Sequence, residues 1–188
     1  MIKKLIMVVL VGALVWTGIN FYNSQQEVKK LKEEKTVKEK DKKLEAVPEP
    51  GFKAPNITLK DFNGTVHSLS DAKGKPYIIN FWASWCGPCE VEAPDLVHLY
   101  EKYNGQIEIF AVNATLGDSV EGAKQFAERH KFQFPVLLDM DGVAGVAYKV
   151  VSLPTTYFVD KDGVIVDRVI GVLPPEELEK KFQQLIEG

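Results

Sequence analysis

NFWASWCGPCEVEAP, residues Asn80 to Pro94, contains the only two cysteines of the chain, Cys86 and Cys89. The apolar run from Pro76 to Trp82 reads as a buried strand, and the residues from about Pro88 to Tyr103 read as a helix. The cysteines therefore stand at a strand-to-helix junction. The first turn of a helix brings side chains at i and i+3 onto one face, so two cysteines separated by Gly87 and Pro88 can close into a small disulfide ring. The two sulfurs differ in position. At the helix start, unpaired N–H groups and the helix dipole stabilise a thiolate, which makes Cys86 the expected attacker. Cys89, one turn in, is expected to remain a thiol until it resolves a mixed disulfide. The expected redox group is this Cys86–Cys89 disulfide alone, with no other cofactor.

WCGPC, Trp85 to Cys89, is the thioredoxin motif, and FWASWCGPCEVEAP resembles the TlpA, ResA and CcmG-type branch of membrane-anchored, extracytoplasmic thioredoxin-like proteins. The resemblance runs from about Phe52 to the C-terminus. Asn80 stands where cytosolic thioredoxins carry a buried aspartate, and a carboxylate appears instead at Glu92, where ResA-like proteins have one. Pro94 matches both groups and is expected to kink the helix. The resemblance implies an α/β thioredoxin fold with an N-terminal β-hairpin and a central αβ insertion. It implies a thiol–disulfide oxidoreductase that reduces disulfides of exported proteins, such as an apocytochrome c awaiting haem or a spore-associated substrate. The implied electron source is a CcdA- or DsbD-like membrane protein. It also implies a cis bond from Leu153 to Pro154, with the Leu153 backbone free to pair with a substrate strand and with Trp85, Gly87 and Pro88 in the same binding surface.

Glu92 lies i+3 from Cys89, on the helix side facing the dithiol. With Asn80 uncharged, Glu92 is the expected acceptor of the Cys89 proton, and burial there raises a carboxyl pKa. Glu90 is expected to be an ordinary surface glutamate.

Other readings of the motif fit less well. Tetrahedral zinc wants four ligands, and the chain has no second CxxC and only the scattered His67, His98 and His130, so no metal site is expected. A purely structural disulfide does not need the flanking Trp and Gly-Pro. A peroxiredoxin would carry Thr three residues before its reactive cysteine, where Ala83 stands. A Sco-type copper chaperone needs a wider cysteine spacing and a committed histidine. A DsbA-like oxidant or isomerase shares the CxxC, but oxidants of that type usually carry an inserted helical domain.

Ahead of the domain the chain changes character twice. Residues Leu5 to Tyr22 are uncharged and follow Lys3 and Lys4; at ~1.5 Å per residue such a helix spans a bilayer. The run ends without a small-x-small cleavage pattern, so residues 1–22 are expected to be an uncleaved signal-anchor. Residues 23–50 are rich in Lys and Glu and read as a solvated stalk, with a partner-binding coiled coil as the alternative. The lysine count conflicts with export, because Lys29, Lys30, Lys32, Lys35 and Lys38 outnumber Lys3 and Lys4. The family resemblance places residues 51–188, the thioredoxin-like domain, outside the cytoplasm at the cell membrane. A net charge of −3 offers no basic surplus for nucleic acid.

Within the domain, Ile57 to Leu59 and Val66 to Leu69 read as two strands joined by Asp61, Phe62, Asn63 and Gly64, with Asn63-Gly64 as the hairpin turn signal. Strands are expected at Ile107 to Asn113, Phe134 to Leu138, Thr155 to Asp160 and Val164 to Ile170. A helix capped by Asp118 or Ser119 is expected to carry Val120, Ala123, Ala127 and His130 along one side. Gly142 to Val150 reads as a short helix. Pro174 and Pro175 start a last helix that buries Leu178, Phe182 and Leu185.

Overall fold

The computed structural model describes residues 16, 20–32 and 46–188. The chain divides into two compact units, residues 1–42 and 43–188, each described by itself. In the first, residues 20–32 are helical (α1) and exposed. The expected membrane span, residues 5–22, lies outside the described residues except at 16 and 20–22, as does residue stretch 33–45 of the stalk. Among the described residues no helix is long and apolar enough to cross a membrane.

The second unit is a mixed α/β, thioredoxin-like fold. Its strands are β1 (Thr58–Lys60), β2 (Val66–Ser68), β3 (Tyr77–Trp82), β4 (Glu108–Asn113), β5 (Val136–Leu138), β6 (Thr155–Val159) and β7 (Ile165–Ile170). They form one sheet in the order β2-β1-β5-β4-β3-β6-β7. Strands β3, β4 and β5 run parallel, while the β3–β6, β6–β7 and β1–β5 pairs are antiparallel. The helices are α2 (Gly87–Lys102), α3 (Val120–Arg129), α4 (Val143–Ala147) and α5 (Pro175–Glu187).

Alternation along β3 sorts its side chains between two cores. Ile78 and Trp82 face α2, α3 and α5, joined by Ile109, Val136 and Phe158 from the neighbouring strands. Ile79 and Phe81 face α4 and a short 3₁₀ turn, Leu69–Ala72, with Phe110, Leu137 and Tyr157. Asn80 shares the parity of Ile78 and Trp82, so it points at α2. That parity puts an amide in the core under the cysteines.

The hairpin and the insertion are both present, with altered boundaries. The loop 61–65 joins β1 to β2, and the Asp61 carboxylate organises it by accepting from the Asn63 and Thr65 N–H groups, 2.8 and 2.9 Å. Gly64 supplies the left-handed residue, φ 79°. The connection is thus five residues, the expected Asp61 to Gly64 with Thr65, and an aspartate organises it. Strand β5 starts at Val136 because Pro135 has no N–H to give a ladder. In α3 the buried residues are Ala123, Phe126 and Ala127, while Val120 is at the surface. Helix α2 continues through Pro94.

The chain enters this unit along the outer strand. Gly51 N donates to Ile165 O (2.8 Å), Ile165 N to Phe52 O (2.9 Å) and Ala54 N to Gly163 O (2.9 Å), and Lys53 bridges Val164 in antiparallel register.

Candidate active site

Cys86 ends the β3–α2 turn and is the N-cap of α2; its sulfur accepts from the Cys89 N–H at 3.2 Å. Pro88 sits in the first turn, where a missing N–H costs nothing because helix-start donors have no internal partner. Cys86 and Cys89 are joined as a disulfide, with Cα atoms 5.2 Å apart. The difference expected between the sulfurs lies in direction more than exposure, since both residues are buried. Cys86 lines a groove and Cys89 does not. This groove, about 800 Å³, is walled largely by apolar residues including Trp85, Pro88, Leu116, Val146, Val151 and Leu153. Gly87 also lines it, so Trp85, Gly87, Pro88 and Leu153 meet Cys86 at one opening. The Leu153–Pro154 bond is cis, and Pro154 is buried just ahead of β6.

Glu92 is 2% exposed, one turn beyond Cys89 on the buried side of α2. Asn80 Nδ2 donates to Glu92 Oε2 at 2.8 Å and to Thr156 Oγ1 at 2.9 Å. Thr156 is there because it stands directly opposite Asn80 across the β3–β6 pair. Burial pushes the Glu92 carboxyl up to about 7; the Asn80 hydrogen bond opposes this, and the charge of Asp95 adds to it. A carboxyl group that exchanges its proton near neutrality thus lies in the core behind the disulfide.

Two carboxylates make contacts beyond those the sequence suggests. Glu90 is at the surface as expected, but its carboxylate pairs with Arg129 Nη2 at 2.9 Å and His130 Nε2 at 2.9 Å, tying the first turn of α2 to the end of α3. The hydrogen bond from Arg129 leads the effects that hold its carboxyl below the usual range. The helix cap of α3 belongs to Ser119, whose Oγ accepts from Gly122 N at 3.0 Å. Asp118 instead reaches back to Ser84, two residues before Cys86. Burial pushes the Asp118 carboxyl up, but hydrogen bonds from Asn113, Ser84 and Ser119 outweigh it and hold it low. Neither Asp118 nor Thr156 stands out in the sequence. Thr156 follows from strand alternation once the β3–β6 register is known, whereas nothing local marks Asp118.

Among the described residues no group of three or more His, Cys, Asp or Glu side chains could hold a metal ion. What the arrangement can do is exchange a disulfide at Cys86 and move a proton at Glu92.

The sequence matches the AhpC/TSA family over residues 50–168. It is 36% identical over 187 residues to the thioredoxin-like protein YneN of Bacillus subtilis (strain 168), covering 97% of this chain and 98% of that one. It is 38% identical over 136 residues to the thiol-disulfide oxidoreductase ResA of Geobacillus kaustophilus (strain HTA426), covering 72% of this chain and 77% of that one. The crystal structure of a Chlorobium tepidum protein named for thiol:disulfide interchange, DsbE, superposes with a TM-score of 0.68 at 30% identity, over 75% of this chain and 99% of that one.

Proposed function

This chain belongs to the AhpC/TSA family as one of its thioredoxin-like thiol–disulfide oxidoreductases, and from that premise we propose that it reduces disulfides of exported proteins from a membrane tether. The observation that carries the mechanism is the pairing of a groove-facing Cys86 with a buried, protonatable Glu92 behind Cys89.

In the reduced enzyme the Cys86 thiolate attacks one sulfur of a substrate disulfide. That bond breaks, a Cys86–substrate disulfide forms, and the other substrate sulfur leaves as a thiolate. Glu92 takes the proton of Cys89, whose thiolate attacks the Cys86 sulfur. The Cys86–Cys89 disulfide closes and the second substrate sulfur leaves as a thiolate that gains a proton. Two electrons have passed from the enzyme dithiol to the substrate, and no group beyond this disulfide is needed. The backbone at Leu153, beside cis-Pro154, lies in the groove where a substrate strand can be held.

Residues 1–22 are the anchor, 23–50 the stalk and 51–188 the catalytic domain in this reading. Its support is the uncharged run at 5–22 behind Lys3 and Lys4. Re-reduction then falls to a CcdA- or DsbD-like membrane protein, and an apocytochrome c or a spore-associated protein is a fitting substrate. Trapping tests the roles of the sulfurs. Cys89→Ser is expected to accumulate covalent complexes with substrates on non-reducing gels, and Cys86→Ser to form none. The reverse pattern would exchange the two roles.

A further inference from the structure

We propose that Asp118, on the loop between β4 and α3, is a positioning residue for the exchange reaction, fixing the turn that carries Cys86. The proposal rests on Cys86 being the attacking thiol.

One carboxylate gathers four donors. Asp118 Oδ2 accepts from Ser84 N (2.6 Å) and Asn113 Nδ2 (2.9 Å), and Oδ1 accepts from Ser84 Oγ (2.6 Å) and Ser119 N (2.8 Å). Bonds to an ionised acceptor are the stronger kind. The same loop takes two further holds on the turn: Ala114 N donates to Trp82 O at 2.9 Å, and Trp85 Nε1 donates to Gly117 O at 2.8 Å. The packing is close as well. A Cβ at Gly122 would lie 2.8 Å from Ser84 Oγ and 2.8 Å from Ser119 Oγ, so the first turn of α3 presses on Ser84. Trp82, Ser84 and Trp85 are each tied to this loop, while the Cys86 backbone N–H bonds only locally, to Ala83 O. The loop is thus the outer half of the active site. Displacement of two sulfurs needs the attacking and leaving atoms in line, and a turn free to wander loses rate even when the thiolate is fully formed.

The test uses the full-length chain with Cys89→Ser as parent, leaving Cys86 as its one thiol, and dithiobisnitrobenzoate as probe. The Cys86 thiolate bonds to one probe sulfur, the probe disulfide breaks, and one coloured nitrothiobenzoate leaves. The rate is followed against pH up to the plateau where Cys86 is wholly thiolate. Asp118→Ala is expected to lower the plateau by roughly tenfold or more. Ser84→Ala is expected to lower it less, and the double variant no further than Asp118→Ala, because both act through one contact. Asp118→Asn keeps the volume, serves if the alanine variant misfolds, and is expected to fall between. A plateau left unchanged, a shift in midpoint alone, or losses that multiply in the double variant would each overturn the positioning role. An inert parent, with Cys86→Ser reacting in its place, would overturn the assignment of the attacker and the positioning role together.

Discussion

Glu92 is a carboxyl group that folding keeps protonated to near neutral pH. Unfolded, it releases its proton near 4.5, so between that value and about 7 the folded state binds more protons and stability falls as pH rises. Above the window, charging this 2%-exposed group costs about 3 kcal/mol. Glu92→Gln keeps an acceptor for Asn80 and has no charge to bury. In urea unfolding of the oxidised protein it is expected to gain up to about 3 kcal/mol over the native chain at about pH 8, and almost nothing at about pH 4. An equal gain at both pH values would show that Glu92 is not the titrating group. Glu92 was legible in the sequence because helix periodicity fixes its side of α2 relative to Cys89. Asn80 was marked by the family resemblance, and strand alternation in the structure accounts for its face. Asp118 and Glu90 were not, since their partners Ser84, Arg129 and His130 lie more than thirty residues away and only the tertiary fold brings them together.

At the scale of elements, α3 holds its place chiefly through Phe126. That ring is 1% exposed, stacks on Trp82 with centroids 4.6 Å apart and meets Phe132 at 5.9 Å. Phe126→Ala is expected to destabilise the domain by about 3–5 kcal/mol, read as a lower urea midpoint with unchanged slope. A loss under about 1 kcal/mol would mean that α3 is held by its polar contacts instead. The sequence placed this helix and its neighbours within a few residues. Phe126 was not singled out, because Val120 and Phe126 are both apolar and only the neighbouring elements decide which of them is covered. The hairpin loop was placed to within a residue, and its inner organisation comes from the structure. The Asn63-Gly64 pair carries a turn signal, but the Asp61 carboxylate satisfies more backbone donors in a longer loop.

For the whole molecule, alternation and turn residues over residues 57–188 mark the strand and helix segments, while their assembly as a thioredoxin-like sheet was implied by the family resemblance and its seven-strand order comes from the structure. The extracytoplasmic orientation proposed above runs against the lysine count around residues 5–22. Alkaline phosphatase fused after Gly188 is expected to be active, and a fluorescent protein that matures only in the cytoplasm to stay dark; the opposite pattern would place the domain inside. The way the chain enters its sheet bears on the tethered arrangement proposed above. In that arrangement, tension applied ahead of residue 46 meets the ion pairs of Glu49 with Lys149 and Arg168 and the backbone hydrogen bonds that lay residues 51–54 beside the start of β7, the outermost strand. Strand β6 lies between that seam and β3. The segment that would take such a pull is thus attached at the rim of the sheet, two strands away from the one that leads into the dithiol.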